Sequence, residues 1–167
     1  MKLQTIDQAL FKKRLNLFQG TLVVLLMVLG LGFSQLYIGL WSDGGSNTLL
    51  NLAAVATAVV LIGIGVNQIK DKPFMREIMY VRALKQELNR IYRASRKLEE
   101  AVKADNRDAL TVRYFQLHAS KHLYELEGNT LTMEEQLGMI ATLDEQLARL
   151  GLSLKVEDYS PELLKRF

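Results

Sequence analysis

The chain has 167 residues, of which 49% are hydrophobic and 23% charged, and its formal net charge is +3. It contains no cysteine, which excludes disulfide bonds, thiolate metal sites and a cysteine nucleophile. The charge is unevenly spread, because no charged residue lies between Arg14 and Asp43 or between Asp43 and Lys70. The chain therefore divides into an apolar first part and a charged second part.

Two apolar runs occupy the first part, at residues 17–40 and 49–69. At about 1.5 Å of rise per residue, helices of these lengths reach roughly 36 and 32 Å, and a bilayer core is about 30 Å thick. Backbone amides in lipid must hydrogen-bond within their own segment, which favours helices. The first run is longer than the apolar region of about 7–15 residues in a cleaved signal peptide. The pattern therefore predicts two membrane-spanning helices.

The connection at residues 41–47 is short and contains Gly44 and Gly45, which suit a tight reversal of the chain. Such a short loop predicts that the two spans are antiparallel neighbours. Basic residues flank the far ends of both runs and are absent from the connection: Lys2, Lys12, Lys13, Arg14, Lys70, Lys72 and Arg76. The positive-inside rule then predicts both termini in the cytoplasm and the loop outside.

Small and polar residues inside the runs indicate how the spans pack. Ala54 and Ala58 form a small-xxx-small pair, which allows close approach of helices within one hairpin or between copies in a homo-oligomer. Gln35 and Asn51 lie at similar depths, so we expect them to hydrogen-bond across the hairpin or, alternatively, to line a pore. Neither run contains a charged residue, which argues against a proton relay or an ion-coupled transporter.

The second part begins at Pro73, a residue suited to the first turn of a helix. Apolar residues recur in a heptad pattern over residues 74–103, which predicts one long amphipathic helix. The seam of this helix consists of Val81, Leu84, Leu88, Ile91, Ser95, Leu98 and Val102. We expect the seam to pack within the chain, with pairing between copies of the chain as the alternative.

The same helix is basic, and five of its residues are candidates for contact with anionic lipid headgroups or with the acidic later helices. They are Arg82, Arg90, Arg93, Arg96 and Lys97. The modest net charge and the lack of an interleaved aromatic platform argue against nucleic acid as a partner. The expected partners are the lipid bilayer and either another protein or further copies of the chain.

Two more helices are predicted, at residues 107–126 and 133–150. Asp105 or Asn106 is expected to cap the first, and Gly128 is expected to end it. Thr132 begins a capping-box pattern for the second, and Gly151 is its stop signal. The predicted apolar face of the second helix consists of Leu137, Ile140, Leu143, Leu147 and Leu150. A mixed tail follows, with a short helix expected from Pro161.

The only two histidines are His118 and His122, with Glu125 three residues later. On a helix these side chains share one face, so they are candidate ligands for zinc or another divalent metal. The adjacent Lys121 opposes a cation, and the pattern lacks the glutamate that follows the first histidine in helical metalloproteases. The favoured alternative is a solvated or packed helix surface.

Motifs that would indicate an enzyme are missing from the sequence. It contains neither a phosphate-binding GxxxxGK[ST] loop, nor a dinucleotide-binding GxGxxG turn, nor a GxSxG nucleophile elbow. The acidic residues are spread along helix surfaces and indicate no catalytic pair. The sequence therefore predicts no catalytic residue and no bound cofactor.

Three stretches carry a resemblance to a known family: the start MKLQTID, the segment KPFMREIMYVRALKQELNRIYR and the later NTLTMEE. They resemble a family of small gammaproteobacterial two-span inner-membrane proteins that is grouped as a domain of unknown function. The resemblance covers nearly the whole chain and implies a bacterial inner-membrane location. It implies no activity, cofactor or functional residue.

The sequence thus predicts an all-α protein, a two-helix transmembrane hairpin followed by a cytoplasmic three-helix, antiparallel, coiled-coil-like domain. The expected segments are a cytoplasmic amino-terminal segment at 1–16, the hairpin at 17–70 and the helical domain at 71–167. The favoured function is a membrane-anchored interaction or scaffold module. The alternatives are a small oligomeric channel or transporter component and a metal-dependent membrane enzyme.

Overall fold

A computed structural model describes residues 2–167, which form six α-helices and, within that range, no β-strand. The helices are α1 Gln8–Trp41, α2 Thr48–Ile69, α3 Arg76–Arg93, α4 Ser95–Lys103, α5 Arg107–Glu127 and α6 Met133–Arg149. Short 3-10 segments lie at Pro73–Met75, Val156–Asp158 and Leu163–Arg166. The predicted all-α class is confirmed.

The chain divides into two compact units. Residues 2–11 and Met79–Phe167 form one unit, which we call the C-terminal unit. Residues Lys12–Ile78 form the other, which we call the apolar unit. Residues 2–11 therefore belong to the same unit as residues 79–167.

The apolar unit contains two helices that are long and apolar enough to cross a membrane, α1 and α2. Polar side chains join them near the connection, where Ser34 Oγ donates to Asn51 Oδ1 at 2.5 Å. Tyr37 and Thr57 hydrogen-bond through their hydroxyl groups at 2.9 Å. Asn51 therefore has a partner on α1, but that partner is Ser34 and not the predicted Gln35. One residue along a helix rotates the side chain by about 100°, which leaves Gln35 exposed.

The predicted small-residue pair is the buried part of α2. Ala54 and Ala58 are fully buried, and Gly30 on α1 is buried as well. The glycines are less tightly packed, because a Cβ atom built on Gly30, Gly63 or Gly65 would meet nothing within 4 Å. Close packing in this unit therefore depends on the alanine pair and not on all of the small residues.

The first segment after α2 is tied back to the start of α1 within the apolar unit. The Arg14 guanidinium forms an ion pair with Glu77 and donates to the Pro73 carbonyl oxygen at 3.1 Å. The same guanidinium lies 5.8 Å from the centre of the Phe74 ring. One side chain near the start of α1 thus holds the segment that leaves α2.

The predicted long helix at 74–103 is two helices, because the ladder breaks at Ala94. The Ala94 amide donates to the Ile91 carbonyl at 3.0 Å, a 3-10 bond in place of the α-helical one. The seam positions Val81, Leu84, Ile91 and Leu98 are all buried within one chain. Packing within the chain is therefore confirmed for these residues.

Helix α5 has the ends that the sequence predicts. The Asn106 side chain accepts from the Ala109 amide at 3.1 Å, which identifies Asn106 and not Asp105 as the cap. Gly128 has a φ of 69°, a left-handed conformation that favours glycine. The Asn129 amide then donates to the Tyr124 carbonyl at 2.9 Å and satisfies the end of the helix.

Helix α6 corrects two predictions. Thr132 makes no side-chain capping bond, so the expected capping box does not form. Leu137 is 47% exposed, whereas its neighbour Gln136 is buried and donates from Nε2 to the Leu117 carbonyl at 2.6 Å. The buried face of α6 instead starts from Gln136 and continues through Leu143 and Leu147.

Both ends of the chain pack into the C-terminal unit. Phe11 is 1% exposed, and the Gln4 amide donates to the Tyr80 hydroxyl at 2.9 Å. In the tail, the Tyr159 ring stacks on Phe115 at a centroid distance of 4.1 Å, and Leu164 is buried. The tail, which the sequence leaves as a mixed segment, is therefore part of the core.

Candidate binding groove along helix α5

Helix α5 lies at the centre of the C-terminal unit, where it contacts α4, α6 and both 3-10 segments of the tail. Its fully buried positions include Leu110, Val112, Phe115 and Ala119. Other residues of α5 at helical spacing, Arg113 among them, are only half-buried and line an open groove. One helix thus supplies both the core and a surface accessible to a ligand.

The groove has a volume of about 570 Å³. Residues of α5 form its floor, among them Arg113, Gln116 and Ser120. One wall comes from α3 and α4 on either side of the break at Ala94, and the other comes from Gln136 and Met139 of α6. The volume lies within the range of about 300–1,000 Å³ that is usual for small-molecule sites.

Arg113 is the charged group on the floor of the groove. Its Nη1 atom donates to Gln116 Oε1 at 2.9 Å, and its Nη2 atom contacts Met139 Sδ at 3.8 Å. No carboxylate of the described residues forms an ion pair with it. A half-buried guanidinium with hydrogen-bond donors left over is a group that can bind an anion.

The walls of the groove add neutral polar groups and one acid. Asn89 and Ser95 line one side, and Ser120 lies on the floor. Glu99 is the one carboxylate that lines the groove, and it is exposed. Tyr92 stands at the rim with 72% of its surface exposed, which is unusual for an aromatic residue. The lining therefore combines opposite charges, hydrogen-bonding groups and one exposed ring.

The predicted metal ligands lie on another face of α5. His118 packs against Tyr114 with ring centroids 4.2 Å apart, and His122 meets the Tyr80 ring edge-on at 6.2 Å. The Nε2 atoms of both histidines are buried and lack a hydrogen-bond partner within residues 2–167. Burial lowers the pKa of both imidazoles below their usual value of 6.5.

Glu125, the third predicted ligand, is exposed and forms an ion pair with Lys121 at 3.8 Å. Among the described residues, no three histidine, aspartate or glutamate side chains group closely enough to hold a metal ion. The sequence pattern thus places the three residues on one helix, but the structure gives each of them a different neighbour. Metal binding by them stays a prediction of the sequence to which the geometry adds no support.

The basic residues predicted for headgroup contact lie on the surface of α3 and α4. Arg90 forms an ion pair with Glu87, and Arg96 forms one with Glu100. Arg82, Arg93 and Lys97 are exposed and have no carboxylate partner in residues 2–167. Contact with lipid headgroups stays a prediction for these residues.

One buried polar cluster escapes the sequence analysis. Glu87 is 7% exposed, and its carboxylate accepts from the Tyr159 hydroxyl at 2.5 Å and from Arg90 at 2.9 Å. Burial and the adjacent carboxylate raise the pKa of Tyr159, which therefore stays protonated and donates. The signal that points to the cluster is the position of Glu87, three residues after Leu84 and four before Ile91 on the buried face. Its partners lie within the unit core, so its role is structural.

Comparison with curated proteins and with solved structures finds no match for this chain. The sequence profile of one protein family matches residues 1–164, nearly the whole chain. The description of that family states no activity, ligand or partner. The chain therefore belongs to the family DUF3087, described as proteins of unknown function.

Proposed function

We propose that this protein is a membrane-anchored helical binding module. In this proposal α1 and α2 form an antiparallel transmembrane hairpin, and the C-terminal unit lies in the cytoplasm. The groove along α5 is its binding surface. The observation that supports the transmembrane anchor is the exposure of the apolar side chains of α1 and α2.

Only 6% and 11% of the residues in the most apolar stretches of α1 and α2 are buried within the protein. The central helix of a soluble protein would be covered by its neighbours, and a surface helix of a soluble protein has one polar face. Here Val28, Leu31 and Leu49 are exposed to 63%, 67% and 75%. Exposed apolar surface of this extent is the mark of a membrane-facing or partner-facing helix.

The lengths of the two helices support lipid as the surroundings. The 34 residues of α1 and the 22 residues of α2 correspond to about 51 and 33 Å at about 1.5 Å per residue. Both exceed the hydrocarbon thickness of about 30 Å. The excess length of α1 lies at its start, where Phe11 is buried in the C-terminal unit.

The way in which the chain is divided between the two units supports the hairpin topology. Residues 2–11 and residues 79–167 both belong to the C-terminal unit, so the chain leaves that unit and later returns to it. Two spans between these segments place them on one side of a bilayer. The basic flanks and the connection without lysine or arginine favour the cytoplasm for that side. The family resemblance favours the bacterial inner membrane.

The absence of cysteine from the sequence allows a direct test of this topology. Two single-cysteine variants, Ser46→Cys in the connection and Ser153→Cys after α6, replace exposed serines with a residue of similar size. In intact bacterial cells whose outer membrane has been permeabilised, a membrane-impermeant maleimide is expected to label residue 46 alone. After lysis it is expected to label both.

The matched control is the unaltered chain, which contains no thiol and must stay unlabelled. The protein is also expected to stay in the membrane pellet after washing with alkaline carbonate. Labelling of residue 153 in intact cells would contradict the orientation. Release of the chain by carbonate would contradict the transmembrane anchor itself.

A further inference from the structure

We infer that the groove along α5 is a binding site for a small organic anion, a carboxylate or phosphate compound, with Arg113 as its anchor. The inference deepens the binding half of the proposed function and rests on it. It assigns the class of ligand that the module recognises. The juxtaposition that carries it is a half-buried arginine that has no carboxylate partner in residues 2–167 and lies on the floor of a groove with mixed polar and apolar lining.

Arg113 differs from every other arginine of the described chain. Five arginines form ion pairs with carboxylates: Arg14, Arg90, Arg96, Arg149 and Arg166. The arginines without an ion pair, apart from Arg113, are all exposed to solvent: Arg76, Arg82, Arg93 and Arg107. Within residues 2–167 Arg113 is thus the only arginine that is removed from solvent in part and lacks an acidic partner.

No carboxylate of residues 2–167 neutralises the Arg113 charge, and none of its nitrogen atoms is both buried and without a hydrogen-bond partner, so its remaining donors are accessible to a ligand. The Gln116 oxygen supplies one hydrogen bond to Nη1, and the Met139 sulfur is a weak acceptor for Nη2. A guanidinium has five N–H donors in a planar fork, and most of them have no acceptor here. A carboxylate or phosphate that enters the groove can take two of these donors at once.

Other polar side chains of the groove are also available to a ligand. The side chains of Asn89, Ser95 and Ser120 line it and make no hydrogen bond within the described chain. They can bind hydroxyl or carbonyl groups of a ligand whose anionic end lies on Arg113. Glu99 forms no ion pair within residues 2–167 and favours a ligand with a hydroxyl or ammonium group at its other end.

The size and lining of the groove favour a small molecule over a protein segment. A helix that docks in a groove presents a stripe of apolar anchors and needs an apolar floor to receive them. Here Leu117 and Leu123 of the floor alternate with an arginine, a glutamine and a serine at positions 113, 116 and 120, so the floor has no unbroken apolar stripe. A volume of about 570 Å³ suits a metabolite-sized compound.

The test is ligand-induced thermal stabilisation of the full chain in mild detergent. The probes are inorganic phosphate, citrate and L-glutamate at matched ionic strength, with glucose as the neutral control. We expect at least one anionic probe to raise the melting temperature in a saturable manner, and glucose to leave it unchanged. Because charge-assisted hydrogen bonds hold the anion, Arg113→Gln is expected to lower the affinity for that probe by at least about tenfold.

The matched control variant is Arg93→Gln, which removes the same charge from an exposed position outside the groove and should bind as the unaltered chain does. A second variant, Ser120→Met, fills the floor and keeps Arg113, so it should also abolish binding. If Arg113→Gln does not fold, Ser120→Met tests whether the groove binds the anion. Absence of stabilisation by all three anions, or equal weakening by Arg113→Gln and Arg93→Gln, would overturn the inference.

These outcomes are separate from the test of the anchor. Maleimide labelling that supports the hairpin, together with no binding of any probe, would remove the anion site and leave the anchored module. If carbonate released the chain and the chain still bound a probe through Arg113, the anion site would stand and the transmembrane anchor would be contradicted.

Discussion

The two units of this protein use the same residue type in opposite ways. In the apolar unit Leu31 and Leu49 are 67% and 75% exposed, whereas Leu84 and Leu110 in the C-terminal unit are fully buried. Apolar side chains gain stabilising free energy when they are removed from water. The C-terminal unit does this with its own helices and tail. The apolar unit leaves the task to its surroundings, which the proposed function identifies as lipid.

We therefore expect the two units to differ in how strongly substitutions affect the free energy of unfolding. Substitutions in the C-terminal unit should act through cavities, lost hydrogen bonds and lost caps, and each should lower the free energy of unfolding of that unit. Substitutions on the exposed faces of α1 and α2 should leave that free energy nearly unchanged.

Phe115→Ala is expected to have the largest effect. Phe115 is fully buried and stacks on Tyr159 at 4.1 Å, so its truncation leaves a cavity where α5 meets the tail. We expect a loss of about 3–5 kcal/mol in the free energy of unfolding. Chemical denaturation in detergent, followed by the near-ultraviolet circular dichroism of the tyrosines, measures it.

Leu31→Ala is the matched control in the apolar unit, because Leu31 is 67% exposed and leaves no cavity. Its effect on the unfolding of the C-terminal unit should stay within about 0.5 kcal/mol. Similar losses for both variants would break the comparison between the units.

Tyr159→Phe removes one hydroxyl from the buried cluster around Glu87. The carboxylate keeps its bond to Arg90 but loses the donor at 2.5 Å, so a buried acceptor is left partly unsatisfied. We expect a loss of about 1–3 kcal/mol in the same unfolding measurement. Tyr92→Phe, at a residue that is 72% exposed, is the control and should change the stability by less than about 0.5 kcal/mol. Equal effects would show that the buried hydroxyl does not stabilise the tail.

Asn106→Ala removes the cap of α5, since the Asn106 side chain accepts from the Ala109 amide at 3.1 Å. The expected loss is about 1 kcal/mol. Thr132→Ala at the start of α6 is a sharp contrast, because Thr132 makes no side-chain capping bond and its loss should cost little. A larger effect of Thr132→Ala than of Asn106→Ala in thermal melts would contradict the assignment of the caps.

The smallest effect is expected from pH. Burial lowers the pKa of His118 and His122, against the opposing charges of Asp144 and Glu125. In the window below 6.5 the unfolded chain therefore binds more protons at these sites than the folded chain does. The stability is present above pH 6.5 and falls as the pH decreases through that window.

Melting temperatures of the full chain in detergent between pH 8 and about 5 measure this decrease. The double variant His118→Gln, His122→Gln is expected to lose less stability over the same range than the unaltered chain. A pH profile that the double variant leaves unchanged would assign the decrease to other groups. This test concerns the C-terminal unit alone, because both histidines belong to it.

Local signals in the sequence were sufficient for much of the fold. The two uncharged runs, the heptad positions around Leu84 and the Gly128 stop each predict a helix or its end, and the structure contains those helices. The candidate site was not predicted in this way. Arg113 is one charged residue among many in the sequence, and nothing in its neighbours along the chain distinguishes it.

By itself the sequence determined the all-helical class, the approximate positions of most helices and which part of the chain is the most apolar. These properties depend on the periodicity and composition of neighbouring residues. Only the tertiary structure decided that residues 2–11 join the C-terminal unit, that Tyr159 reaches Glu87 and that Arg113 has no acidic partner among residues 2–167. The reason is physical: burial and pairing depend on residues that are distant along the chain, such as Glu87 and Tyr159, and a local pattern contains no information on which of them meet.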